Sequence, residues 1–203
     1  MTQTDAILAN LHALPQILVV CTGNICRSPM GEVVLRDRLE NAGMWDYSVA
    51  SCGVSSEESG NPIYPPAASI LRANGYSVPA RRAHRATAQE LTESGLILAM
   101  TVGHARSLRP MLERLSVPLN RVHLWREFDG TAQIAPEGCY GSEGVLGGES
   151  GGSSQKRGRG YSDFYSSEGR YDVPDPWYTG DFEYTLEVVE AGASGIVQTL
   201  IRG

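Results

Sequence analysis

The sequence predicts an α/β fold: a three-layer sandwich in which a four-stranded parallel sheet is flanked by helices, with a cysteine loop after the first strand. Three observations predict it. Four short apolar or alternating runs, "QILVV" (16–20), "YSVASCG" (47–53), "GLILAM" (95–100) and "RVHLW" (121–125), have the length and continuity of strands in a covered sheet. Helical patterns separate them, an alternation that gives parallel strands with helices on both faces. The chain has 203 residues, 41% of them hydrophobic, which suits one domain with a substantial core.

The elements follow in order. In "MTQTDAILANLHALPQ" the Leu and Ile spacing fits a short amphipathic helix. It has no basic region and only a broken apolar stretch, so it is not expected to be a signal peptide. After the first strand, Met30 to Asn41 reads as a helix with Val33, Val34, Leu35 and Leu39 on its apolar side and Gly43 past its end. "PPAASILRANG" (65–75) opens on prolines and ends at Asn74-Gly75, the signature of a capped helix. Thr87 with Glu90 three residues later is a capping-box pattern. "GHARSLRPMLERL" (103–115) is helical, with a kink or break expected near Pro110. The tail at 181–201 is a long helix carrying Leu186, Val189, Ile196 and Leu200 on one side and weakened by Gly192 and Gly195.

One segment departs from this rhythm. Residues 135–171 are dominated by Gly, Ser and charge, with few aliphatic side chains. Such a composition offers little apolar surface to offset ordering entropy, so a flexible insertion is expected there. Its tyrosines and Phe164 suit a docking role.

Composition narrows the function. A net charge of −6 argues against a nucleic-acid binder, and no stretch approaches the roughly 20 apolar residues that span a bilayer. Four cysteines are too few for a disulfide scaffold and none has C-x2-C spacing, so a structural zinc site is not expected; no cofactor is expected either. A reducing cytoplasm and a monomer are the default expectations.

The chemistry concentrates in "CTGNICRSP" (21–29). A cysteine five residues before an arginine is weak evidence alone; its context makes it specific. Cys21 ends a buried strand, which is where ligands bind in parallel α/β folds. Gly23-Asn24 follows, and Asn tolerates left-handed backbone. Arg27, Ser28 and Pro29 then lead into a helix. Such a loop can turn backbone N–H groups inward at a helix N-terminus and hold a phosphate. A thiol there sees positive potential that favours the nucleophilic thiolate. Arg27 offers a planar fork for two phosphoryl oxygens, and Ser28 a hydroxyl for the thiolate.

"VCTGNICRSP" resembles the signature loop of the low-molecular-weight protein tyrosine phosphatases. The resemblance spans about 16–134 and 172–203. "DPWY" (175–178) stands where that family carries an Asp-Pro-aromatic motif before its last helix, "SCGVS" (51–55) is similar to its Ser-Ala-Gly segment, and "AHRATAQEL" (83–91) to its His-x-Ala region. The resemblance implies a metal-free protein tyrosine phosphatase working through a phosphocysteine. Cys21 is then the nucleophile, Arg27 the phosphate clamp and Asp175 the general acid. Thr22, Gly23, Asn24, Ile25, Cys26 and Ser28 line the phosphate site, and Trp177 and Tyr178 form an aromatic wall for the substrate ring. Cys26 would have a redox role, protecting Cys21 by disulfide formation. The implied partners are phosphotyrosine proteins, a bacterial tyrosine kinase among them.

Two departures stand out. Thr101 replaces the family's aspartate after the third strand, so a polar support there is either missing or rebuilt. The 135–171 insertion falls beside the mouth of the site.

Other readings are weighed against this one. An arsenate reductase on the same fold needs two further cysteines after strand three, and none lies between Cys52 and Cys139. Protein arginine phosphatases carry Thr where this chain has Ile25. A non-catalytic phosphate-binding module would not need Cys21, Arg27 and Asp175 together. Cys52 reads as core and Cys139 as a free thiol of the insertion. His84 and His104 read as hydrogen-bonded structural residues, Asn24 as support for the loop, and Arg81, Arg82 and Arg85 as a solvated basic patch.

Overall fold

A computed structural model describes residues 4–148 and 169–202. Helix α1 (Asp5–Ala13) precedes strand β1 (Gln16–Cys21). Helix α2 (Arg27–Asn41) leads to β2 (Ser48–Gly53), and α3 (Pro65–Ala73) and α4 (Ala88–Glu93) lead to β3 (Ser94–Ala99). Helix α5 (Val102–Arg114) leads to β4 (Val122–Leu124), and α6 (Pro176–Thr179) and α7 (Phe182–Ile201) close the chain. The sheet order is β2-β1-β3-β4, and every pairing is parallel. Two central strands place their carboxyl ends side by side, and the β1 end carries Cys21.

Alternation along β1 separates two cores. Ile17, Val19 and Cys21 face a core shared with α1, α2, α3 and α7, while Leu18 and Val20 face the one shared with α5. The Thr87–Glu90 capping box forms as expected. Helix α2 begins at Arg27, three residues earlier than the sequence pattern suggests, so the loop passes straight into the helix. Helix α5 runs through Pro110 without interruption.

Gly192 and Gly195 do more than weaken α7. A Cβ at Gly192 would sit 2.1 Å from Trp125 Nε1, and one at Gly195 would sit 1.7 Å from the Phe128 carbonyl oxygen. The glycines therefore let α7 lie directly on the segment after β4. Trp125 is fully buried there, and burial of a side chain this size stabilises by about 3–5 kcal/mol relative to alanine.

The expected flexible insertion begins too early at 135. Ala135, Cys139 and Leu146 are buried, and Cys139 and Leu146 belong to the α5-side core. Cys139 N–H donates to the Val122 carbonyl at 2.8 Å, and the Tyr140 hydroxyl donates to the Ala105 carbonyl at 2.5 Å. A few apolar anchors spaced among glycines suffice to fold residues 135–148 onto the edge strand, which composition averaged over the whole segment conceals. Beyond it, Val173 N–H donates to the Met100 carbonyl at 2.8 Å and re-enters the core. The rest of the predicted insertion, 149–168 with Phe164, lies outside the described residues.

Among the described residues no helix is long and apolar enough to cross a membrane, and no group of three or more His, Cys, Asp or Glu is arranged to hold a metal ion.

Candidate active site

The loop between β1 and α2 is shaped by where its carbonyls go. Cys21 O accepts from Val54 N, Thr22 O from Ser55 N, Ile25 O from Tyr64 N and Cys26 O from Met30 N. Asn24 O accepts from Arg81 Nη1 at 3.3 Å. With these carbonyls tied to groups outside the loop, its N–H groups are left to face inward, the geometry that binds an oxyanion. Asn24 makes the turn possible with φ of 60°, in the left-handed region.

The thiol sits inside this ring. Asn24 N–H donates to Cys21 Sγ at 3.3 Å, and Ser28 Oγ donates to it at 3.0 Å. Both bonds bring a donor hydrogen to the sulfur. The Ser28 proton is directed at sulfur by a relay. Asn24 Nδ2 donates to Ser28 Oγ and to Ser51 Oγ, both at 2.9 Å, and Ser51 Oγ donates to Glu32 Oε2 at 2.6 Å. Ser28 thus accepts from Asn24 and turns its own hydrogen toward Cys21 Sγ, with the Cys52 carbonyl at 3.2 Å as a second acceptor. Cys26 differs: burial first, then the neighbouring Cys21 and Asp175, push its thiol up to about 12. At neutral pH it carries its proton. All four cysteines are free thiols, and Cys52 is core.

Arg27 is buried on the first turn of α2, and its Nη2 donates to Asp175 Oδ2 at 2.5 Å. Asp175 also caps α6, its Oδ1 accepting from Trp177 N at 3.1 Å. The Asp-Pro pair suits this role, since proline fits the first helical position. The ion pair brings the carboxyl of Asp175 to the loop that carries Cys21. Trp177 and Tyr178 stand at the surface, 54% and 83% exposed. Trp177 packs on Tyr64, ring centroids 4.9 Å apart, and Tyr64 lies 5.9 Å from Phe182.

Several contributors escape a sequence reading. Tyr64 joins the aromatic wall because its N–H is bonded to the loop; its one local signal is its position before Pro65-Pro66. His104 is buried, and its Nε2 lies 2.8 Å from Thr22 Oγ1. Burial first, and Arg27 second, hold its imidazole well below its usual range, so it is neutral. The Thr101 departure is rebuilt: Thr101 caps α5 by accepting from His104 N, and Asp172 Oδ1 accepts from Val102 N at 2.7 Å. His84 pairs with Glu90 Oε1 at 2.7 Å and is structural, as expected. Arg82 and Arg85 are exposed, but Arg81 is no surface residue: its side chain reaches the loop and Glu32.

The four-stranded parallel sheet, with Cys21 at the end of β1 and α2 directly after the loop, fits a phosphate-binding site. The comparisons with known proteins place it further. The family model described as "Low molecular weight phosphotyrosine protein phosphatase" matches residues 16–139, and the chain belongs to that family. It is by that membership a protein-tyrosine phosphatase, a phosphoric monoester hydrolase. A Streptomyces coelicolor low molecular weight protein-tyrosine-phosphatase is 31% identical over 185 residues, covering 90% of this chain and 91% of its own length. The Bacillus subtilis low molecular weight protein-tyrosine-phosphatase YfkJ is 29% identical over 185 residues, covering 91% and 94%. The crystal structure of YfkJ superposes with a TM-score of 0.68 at 25% identity, covering 93% of this chain and 96% of that one.

Proposed function

We propose that this chain hydrolyses phosphotyrosine on proteins through a phosphocysteine at Cys21. The observation that carries the reading is the meeting of two distant motifs: Cys21 Sγ accepts hydrogen bonds at the mouth of α2 while Arg27, six residues on, holds Asp175. The N–H groups of Thr22 to Ser28 and the Arg27 fork take the phosphoryl oxygens, where negative charge concentrates in the transition state. Cys21 Sγ attacks phosphorus as the phosphorus–oxygen bond to the aryl group breaks. Asp175 gives its proton to the departing phenoxide. The same carboxylate then takes a proton from a water that attacks phosphocysteine, and inorganic phosphate leaves. Ser28 stabilises the sulfur as it departs. A dianionic phosphate competes with Asp175 for Arg27, which frees the carboxyl to act.

The aromatic wall of Tyr64, Trp177 and Tyr178 supports an aryl ester over an aliphatic one. Ile25 ahead of Cys26 supports phosphotyrosine over phosphoarginine. The setting consistent with this reading is the cytoplasm. Turnover of matched phosphotyrosine, phosphoserine and phosphoarginine peptides tests it: the phosphotyrosine peptide is expected to exceed the others in kcat/KM by at least about a hundredfold. Preference for either of the others would overturn the substrate assignment. Substrate trapping with Asp175→Ala would name the protein partner, a tyrosine kinase among the candidates.

A further inference from the structure

Arg81 lies in "ARRAH" (80–84), 57 residues from the loop in sequence, yet it is the loop's most connected neighbour. Its Nη2 donates to Asn24 Oδ1 at 2.5 Å and to Ser51 O at 3.2 Å. Its Nη1 donates to Asn24 O at 3.3 Å, and its Nε lies 3.6 Å from Glu32 Oε2. One guanidinium thus grips the residue whose left-handed backbone makes the turn, by both its main-chain and its side-chain oxygen. Occupying Asn24 Oδ1 with Arg81, and with His84 N at 3.3 Å, forces the amide nitrogen toward Ser28 and Ser51. That orientation makes Ser28 an acceptor toward Asn24 and leaves its hydrogen for Cys21 Sγ at 3.0 Å, with the Cys52 carbonyl at 3.2 Å as a second acceptor.

We propose that Arg81 is a positioning residue for catalysis: its planar fork fixes the Asn24 rotamer and turn, and through them the Cys21 environment and the phosphate cradle. Charge alone does not supply this. One planar guanidinium meets three oxygen acceptors and a carboxylate, which a lysine ammonium cannot reproduce. Nor is Arg81 needed to neutralise Glu32, because Arg36 Nη2 also bonds that carboxylate at 2.6 Å. The inference rests on the proposed function only for its turnover measurements.

The test compares Arg81→Lys and Arg81→Ala with Arg82→Ala, a neighbour whose side chain bonds the Gly60 carbonyl from the exposed side. Four quantities are measured: kcat and KM on p-nitrophenyl phosphate, the inhibition constant of inorganic phosphate, the rate of Cys21 carboxymethylation by iodoacetate, and Tm. Both Arg81 variants are expected to lose about 10–100-fold in kcat/KM, the cost of a small misplacement of reacting groups, with kcat falling and phosphate binding weakened. Iodoacetate modification should slow, and phosphate should protect less. Arg81→Lys is expected to keep Tm within about 4 °C, and Arg82→Ala to match the parent throughout. An Arg81→Lys protein with the parent's kcat, phosphate inhibition and alkylation rate would overturn the proposal, as would losses in Arg82→Ala equal to those in Arg81→Lys. If Arg81→Ala does not fold, Arg81→Lys decides. If the parent protein turns over no aryl phosphate, the phosphatase reading fails on its own, and alkylation with phosphate protection still reads the loop.

Discussion

The loop at 21–28 and the segment at 175–178 meet at one ion pair, 148 residues apart in sequence, and are held in opposite ways. The loop buries Cys21, Asn24, Cys26, Arg27 and Ser28 and is tied at five carbonyls, with Arg81, Ser51 and Glu32 behind it. The acid segment is one short exposed helical turn, held to the loop by Asp175 on Arg27 and by Trp177 on Tyr64. The difference follows the chemistry. A phosphoryl group has one shape in every substrate, so its cradle is rigid. The leaving group changes with the protein that carries it, so the proposed proton donor, Asp175, sits on a lightly held rim.

That division predicts unequal damage. The largest expected effect from the rim is Asp175→Asn, which removes the proton donor and leaves the cradle: kcat should fall by about 10²–10⁴-fold. The loss should be greater for phenyl phosphate than for p-nitrophenyl phosphate, whose leaving group needs less protonation. Equal losses on both substrates would assign Asp175 a structural role instead.

An intermediate effect is expected from the loop side, through pH. His104 is buried neutral against Thr22 with its imidazole depressed below the usual 6.5. In the unfolded chain it takes up a proton below about pH 6.5, while the folded protein does not. The unfolded state then binds more protons, so this contribution to stability is complete above that pH and is lost as pH falls, by up to about 1.4 kcal/mol per pH unit. Urea unfolding at pH 7.5 and 5.5 should show a smaller acid loss in His104→Gln than in the parent. An unchanged acid loss would break the contrast between a rigid loop and a light rim at this point.

The smallest effect is expected at Trp177→Ala. A half-exposed ring on Tyr64 should change KM for phosphotyrosine peptides a few-fold while leaving kcat and phosphate inhibition near the parent's, because its proposed partner is the substrate ring and not the cradle. A fall in kcat as large as that of Asp175→Asn would mean that the wall holds the acid in place.

The same contrast explains what the sequence revealed. The strand, loop and helix around Cys21 are contiguous, so periodicity and spacing expose them, and "DPWY" carries its own helix cap. Arg81, Tyr64, His104 and Asp172 reach the site from other elements, and nothing in their local patterns distinguishes them from surface or core. Three arginines within five residues at 81–85 read as a solvated patch because burial is a property of the folded chain. Averaged composition conceals the packing of 135–148 for a related reason: Cys139 and Leu146 anchor it, and two side chains barely shift an average dominated by glycine.

The most direct test of the account is acid quenching during turnover of labelled p-nitrophenyl phosphate, followed by peptide mapping. The account predicts phosphate attached through sulfur in the peptide containing Cys21 and Cys26, on Cys21 alone, and neither label nor turnover in Cys21→Ser. Full turnover by Cys21→Ser, or label on any other residue, would contradict it.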